Sequence, residues 1–305
     1  MKWEHIKVIN VKPNNTWWKS HLSTPVPFLL DKNTIRIFFG AFDENNVSRI
    51  SAVDINIDTF NIVSIANQPL LDIGIAGTFD DNGITPMSII KKDNILYLYY
   101  TGYQLLKKVP YSMFAGVAIS NDGGNTFSRI QDYPIMDRSQ EGLCTRGGPT
   151  GFVENGIFKL WYSAGTDWVT VNGKLRPTYN VYYQESQNGI TLKPEGHLCI
   201  SYNKEYEHGL GRPQVTKVND QYVMFHTIRT LDMKYSMGFA TSKDGKNWMR
   251  RDNELGLTHG KSGWNSDMIY FPYLIKIKDE YFLFYNGNNF GLTGIGIEKL
   301  IDWEF

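Results

Sequence analysis

Apolar residues fall along the chain in short runs such as ILYLYY, IFKLWY and EYFLFY, which combine β-branched and aromatic side chains over strand lengths. Long helical periodicity is nearly absent. The runs come in pairs, beginning PVPFLLDKNTIRIFFG at Pro25, PMSIIKKDNILYLYYTG at Pro86, PTGFVENGIFKLWYSAG at Pro149, PQVTKVNDQYVMFHTIR at Pro213 and PYLIKIKDEYFLFYNGN at Pro272. Each reads as a Pro, a short strand, a turn rich in Asp, Asn and Gly, and a second strand ending in aromatic residues. Their near-equal spacing, about 60 residues, marks repeated copies of one supersecondary unit.

Third strands follow in phase: AGVAISNDGGNTF, YNVYYQESQNGITL, MGFATSKDGKNW and, more weakly, SRISAVDINIDTF. Their Ser-x-Asp-Gly or Ser-x-Asn-Gly turns suit tight hairpins, and the Phe, Leu or Trp that follows is placed to pack between neighbouring units. Units of three or four antiparallel strands cannot bury both faces alone; arranged radially they form a propeller. The expected fold is therefore all-β, a five-bladed propeller occupying residues 1–305 as a single domain. The last unit, ending GIGIEKLIDWEF, is one strand short, and WEHIKVI near the N-terminus is a strand without a partner. The N-terminal strand is expected to complete the last blade.

Composition narrows the partners. The formal net charge is zero, from 31 basic and 31 acidic side chains, without a block of like charge, so nucleic acid and anionic membrane surfaces are not expected. No run reaches membrane-spanning length and no secretory signal is visible, which points to the cytoplasm. Cys144 and Cys199 are too few for a disulfide framework and lack metal-ligand spacing. No HExxH, CxxC or His-rich spacing, dinucleotide loop or nucleophile elbow is present, so neither a metal nor a cofactor is expected.

The candidate chemistry lies just before each first strand, where a propeller gathers residues at the mouth of its channel. Asp81 precedes Pro86, Glu207 and His208 precede Pro213, Asp267 precedes Pro272, His21 precedes Pro25, and RSQEGLCTRGGP offers Glu141 and Arg146 before Pro149. Several carboxylates around one pocket suit glycosyl chemistry, one protonated as acid and another ionised as base or nucleophile. Asp81, Glu141, Glu207 and Asp267 are accordingly the expected catalytic set. Arg146, Arg212, His21 and Tyr270 are expected to position the substrate, with Trp168, Tyr103 and Trp264 available to stack on sugar faces. Asp80 reads as a turn residue, and His226 as a core or channel-wall residue.

The succession TFDDNGITP, RSQEG, EHGLGRP, GWNSDMIYFP and YNGNNFGLTGIG resembles the five-bladed propeller clan of arabinanases, invertases and levansucrases. More narrowly, it is similar to glycosidase-like propellers encoded beside bacterial surface-polysaccharide genes. The resemblance implies a glycosidase-like enzyme acting on a glycosidic or activated-sugar bond, with Asp81 at the clan's second-blade Asp and Glu141 or Glu207 as its later Glu. The first-blade approach, NNTWWKSHLSTP, carries His21 but no acid, which leaves open a protein that binds a carbohydrate or nucleotide-sugar without turning it over.

Overall fold

Strand β1 (Lys2–Ile9) precedes four repeats of a four-stranded pattern and a last unit of three strands. The computed structural model describes residues 1–13 and 16–303. The first blade comprises β2 (Ser20–Leu29), β3 (Thr34–Phe42), β4 (Ser48–Asn56) and β5 (Ile62–Ile65); the second, β6 (Ile84–Lys92), β7 (Ile95–Leu105), β8 (Tyr111–Ser120) and β9 (Ser128–Arg129). The third runs β10 (Thr145–Glu154) and β11 (Ile157–Gly165), makes an excursion through a hairpin, β12 (Trp168–Val171) and β13 (Lys174–Pro177), and ends with β14 (Asn180–Ser186) and β15 (His197–Ile200). The fourth holds β16 (Glu207–Val218), β17 (Gln221–Thr230), β18 (Ser236–Ser242) and β19 (Met249–Arg250). In the fifth, β20 (Tyr270–Ile277), β21 (Glu280–Asn286) and β22 (Ile295–Asp302) are completed by β1, which pairs antiparallel with β22 from Trp3 opposite Leu300 to Ile9 opposite Ile295.

The inner strands form a closed ring: β2 packs on β6, β6 on β10, β10 on β16, β16 on β20, and β20 on β2. Five apolar clusters fill the spaces between successive blades. The one joining the first and last blades includes Ile9 from the N-terminal strand, 1% exposed. The Ser-x-Asp/Asn-Gly turns form as the sequence suggests, with the hydroxyls of Ser186 and Ser242 accepting from the Gly189 and Gly245 amides at 3.0 and 2.9 Å. The aromatic residue after two of the turns reaches a neighbouring blade. Phe127 meets Phe38 edge-on, and Trp248 meets Trp161.

The recurring prolines sit at a break in each inner strand. Register shifts fall between Ser23 and Val26, Pro86 and Ser88, Gly147 and Thr150, Gly211 and Gln214, and Tyr270 and Tyr273. A residue without an amide hydrogen is tolerated where ladder bonding is interrupted. The break also frees carbonyls toward the axis, and Arg212 takes them. Its guanidinium donates to the carbonyls of Pro25 at 2.6 Å, Met87 at 3.2 Å and Phe271 at 3.0 Å, tying three other blades to its own. This holds a non-glycine backbone at φ 45°, a conformation that persists only where its surroundings enforce it.

Candidate functional site at the channel mouth

A cavity of about 390 Å³ opens where the inner strands begin, and a narrow space of about 40 Å³ continues from it along the axis. Tyr103, Met113, Arg229 and Phe271 line both. Arg212 borders the narrow part.

The ends of second strands supply part of the wall. Thr101 and Thr227 mark equivalent points of β7 and β17, since their hydroxyls accept from the backbone amides of Gly148 and Phe271 in the next blades, each at 2.9 Å. Two residues further on stand Tyr103 and Arg229, both at the mouth. The end of β3 contributes Phe42, over which the His21 ring lies with centroids 4.5 Å apart. The β12–β13 hairpin brings Arg176. Its Trp168 packs edge-on against Tyr111, which in turn meets Tyr103.

Burial raises the pKa of Tyr103, Tyr111 and Tyr179, so all three hydroxyls stay protonated at neutral pH and can donate hydrogen bonds. His21 shares a 2.8 Å hydrogen bond with the Ser20 hydroxyl; burial lowers its pKa against the opposing effect of a hydrogen bond from the ring to the Asn289 backbone carbonyl, favouring the neutral ring. His208, 1% exposed, donates from Nδ1 to the Pro177 carbonyl at 3.0 Å, which leaves Nε2 to accept from the Tyr235 hydroxyl at 3.2 Å. Burial, then the charge of Arg229, pushes its pKa down to about 4.

The expected carboxylate cluster does not form here: Asp81, Glu141, Glu207 and Asp267 line neither part of the cavity. Glu141 is held by Arg146 Nε at 2.8 Å, with further hydrogen bonds from the Tyr162 hydroxyl and the Gly196 amide. Glu207 is held by Arg250, at 2.7 Å, and by the Asn203 amide. Asp80 is paired with Arg129 and bonded to the Tyr100 hydroxyl. A buried carboxylate needs a cation and donors, and the outermost strands β9 and β19 supply Arg129 and Arg250 to acids of their own blades. Asp81 accepts from the Gly77 amide within its own loop, and Asp267 is exposed.

The expected positioning residues divide. Arg146 is consumed by Glu141 and by the carbonyls of Asp137 and Lys193, and Arg212 by the three inner-strand carbonyls, so neither is free for a substrate. His21 stands at the mouth. Tyr270 is fully buried against Phe271 and Phe290, its hydroxyl without a protein partner. Of the stacking candidates Tyr103 lines the cavity and Trp168 flanks it, while Trp264 packs on Tyr285 inside the last blade. Sequence reasoning missed Arg229, Arg176, Tyr111 and Tyr179. The available signal was the position two residues past the Thr near the end of a second strand, and the Asn-Gly turn of VTVNGKLRP.

Among the described residues, no group of three or more His, Cys, Asp or Glu is disposed to hold a metal ion, and no helix is long and apolar enough to cross a membrane. Residues 170–304 match a sequence family described as beta-1,4-mannooligosaccharide phosphorylase. An uncharacterized protein of Mycobacterium tuberculosis (strain ATCC 25618 / H37Rv) is 28% identical over 285 residues, covering 93% of this chain and 94% of that protein. Among solved structures, one named a glycoside hydrolase superposes with TM-score 0.77 at 16% identity, covering 99% of this chain and 93% of that one. The beta-1,2-mannobiose phosphorylase from Listeria innocua, solved as a complex with beta-1,2-mannobiose, gives TM-score 0.71 at 9% identity, over 95% and 92% of the two chains. The fold is that of the glycosidase-like propellers.

Proposed function

We propose that the protein is a glycosidase-like, carbohydrate-active enzyme whose sugar site is the channel mouth. The observation that carries this reading is a cavity of about 390 Å³, within the range of small-ligand sites, walled by Tyr103, Tyr111, Phe42 and Phe271. Aromatic faces stack on the apolar faces of pyranose rings, and protonated tyrosines supply donors to sugar hydroxyls. A site of this kind binds a mono- or disaccharide. The similarity to phosphorylase and hydrolase sequences and folds supports a reaction at a glycosidic or activated-sugar bond.

The narrower assignments belong to the same proposal: one domain spanning residues 1–305, a cytoplasmic location, and a role in bacterial surface-polysaccharide synthesis. Among the described residues the mouth lacks the carboxylate pair on which most glycoside hydrolases rely, and this favours a second reading, a protein that binds a carbohydrate or nucleotide-sugar without turnover. Calorimetry against a panel of sugars and nucleotide-sugars, with mass spectrometry of the products, separates the two. Binding with product formation establishes the enzyme, and binding with every ligand recovered intact establishes the binding protein. Binding that survives Tyr103→Ala and Phe271→Ala unchanged would contradict the mouth as the site for either.

A further inference from the structure

The chain has ten arginines, and eight have protein acceptors. Arg36, Arg49, Arg129, Arg146, Arg250 and Arg251 pair with carboxylates. Arg138 and Arg212 donate to carbonyls. Arg176 and Arg229 have neither carboxylate nor carbonyl acceptor among the described residues, the Nε of each is buried without a partner, and both line the mouth. A guanidinium remains charged throughout the physiological range, and leaving it buried and unpaired is costly.

Arg229 is the more enclosed. Its guanidinium carbon lies 5.3, 5.1 and 5.7 Å from the ring centres of Tyr179, Tyr235 and Phe271, contacts that stabilise a cation without neutralising it. The hydroxyls of Tyr179 and Tyr270, 2% and 0% exposed as residues, also lack protein partners. Unsatisfied donors are rare in protein interiors, and here several gather around one cation. Because Phe271 and Arg229 border the same cavity, an anion reaching this guanidinium stands in the volume available to a sugar.

We propose that Arg229, together with Arg176, receives the oxyanion of an acidic saccharide, a sugar whose own ring carries a carboxylate or a phosphate group. This rests on the reading of the mouth as a carbohydrate site and adds its substrate class. A carboxylate or phosphate presents paired oxygens that match the guanidinium edge, and the Tyr179 hydroxyl, which borders the narrow part of the cavity beside Arg229, donates to the same group.

The test is calorimetry of the full chain with matched neutral, uronate and phosphorylated mono- and disaccharides, and with orthophosphate alone. The acidic sugars are expected to bind at least tenfold more tightly than their neutral counterparts, with an advantage that shrinks as salt is raised. Arg229→Gln should abolish that preference and Arg229→Lys retain part of it. Arg176→Gln, on the hairpin, should reduce it in a chain whose core is untouched. Neutral sugars binding as well as acidic ones would overturn the inference while leaving the carbohydrate site standing. Orthophosphate binding as tightly as the phosphorylated sugar would likewise overturn it, assigning the arginines to a free anion. If no sugar of any kind bound, the carbohydrate reading would fall as well.

Discussion

Arg212 and Arg229 lie within one ring of strands and do opposite work. Arg212 is spent on three backbone carbonyls; burial pushes its guanidinium pKa down to about 9, still far enough above neutrality for the charge to stay. Replacing it by Met strands those acceptors, and at about 1–3 kcal/mol for a buried group left unsatisfied the variant should lose several degrees of melting temperature. A substrate-binding role would instead lower affinity at unchanged melting temperature. His208 and His226 contribute to the acid side of the stability curve. Both are pushed down to about 4 by burial; Arg229 acts further on His208, whereas Asp252, 3.5 Å from His226, opposes its shift, with Arg250 and Glu207 also nearby. Between pH 6.5 and about 4 the unfolded chain takes up protons that the folded imidazoles refuse, so stability falls as pH drops through that window, by at most about 3 kcal/mol for each ring. Glu154, pulled to about 2 by its lysine hydrogen bonds, titrates lower still. Urea midpoints at pH 7 and pH 5 should therefore differ less for His226→Gln than for the native chain; an unchanged difference would show that His226 does not contribute. Polar residues before each inner strand were legible in the sequence, but their partners were not. Nothing local to Glu207 announces Arg250, 43 residues later, and only the pairing of strands within a blade brings the two together.

At the scale of elements, the strands and their turns were legible because side chains of one type recur at one spacing, and the need for a final strand followed from counting. β1 fills that place. It also crosses to the fourth blade, where Trp3 Nε1 donates to the Leu255 carbonyl at 2.6 Å. Deleting residues 1–10 should cost at least the emptying of one core position, ~2–5 kcal/mol, and calorimetric melting would read it; an unchanged transition would refute the closure. The β12–β13 hairpin was not anticipated, since it interrupts the third blade and breaks the repeat. Its Asn172-Gly173 turn has both residues at positive φ, 49° and 73°, the conformation of a tight hairpin turn. The hairpin is an addition to the blade, so a variant joining residue 166 to residue 178 through a short Gly-Ser turn should fold with somewhat lower stability, since His208 loses the Pro177 carbonyl, lose Arg176 from the mouth, and bind the ligand more weakly. Equal affinity would remove the hairpin from the site.

For the whole molecule, the ring of inner strands was expected to collect acids and instead collects aromatic rings, hydroxyls and three guanidiniums, of which Arg176 and Arg229 lack a carboxylate or carbonyl acceptor among the described residues. The reason is electrostatic. Buried acids near the strand starts find cations within their own blades, as Asp80 does in Arg129 and Glu207 in Arg250, whereas Arg176 and Arg229 find no carboxylate among the described residues. Convergence was thus legible from the repeat, but the identity of the converging residues depended on second-strand ends and on a hairpin outside the repeat. The central claim is that a ligand meets the chain at this mouth of aromatic rings, hydroxyls and guanidiniums. A crystal structure of the protein with a bound acidic saccharide tests it most directly: the sugar should lie among Tyr103, Tyr111 and Phe271 with its oxyanion on Arg229, and a sugar bound instead beside Glu207 and Arg250, or beside Asp267, would contradict it.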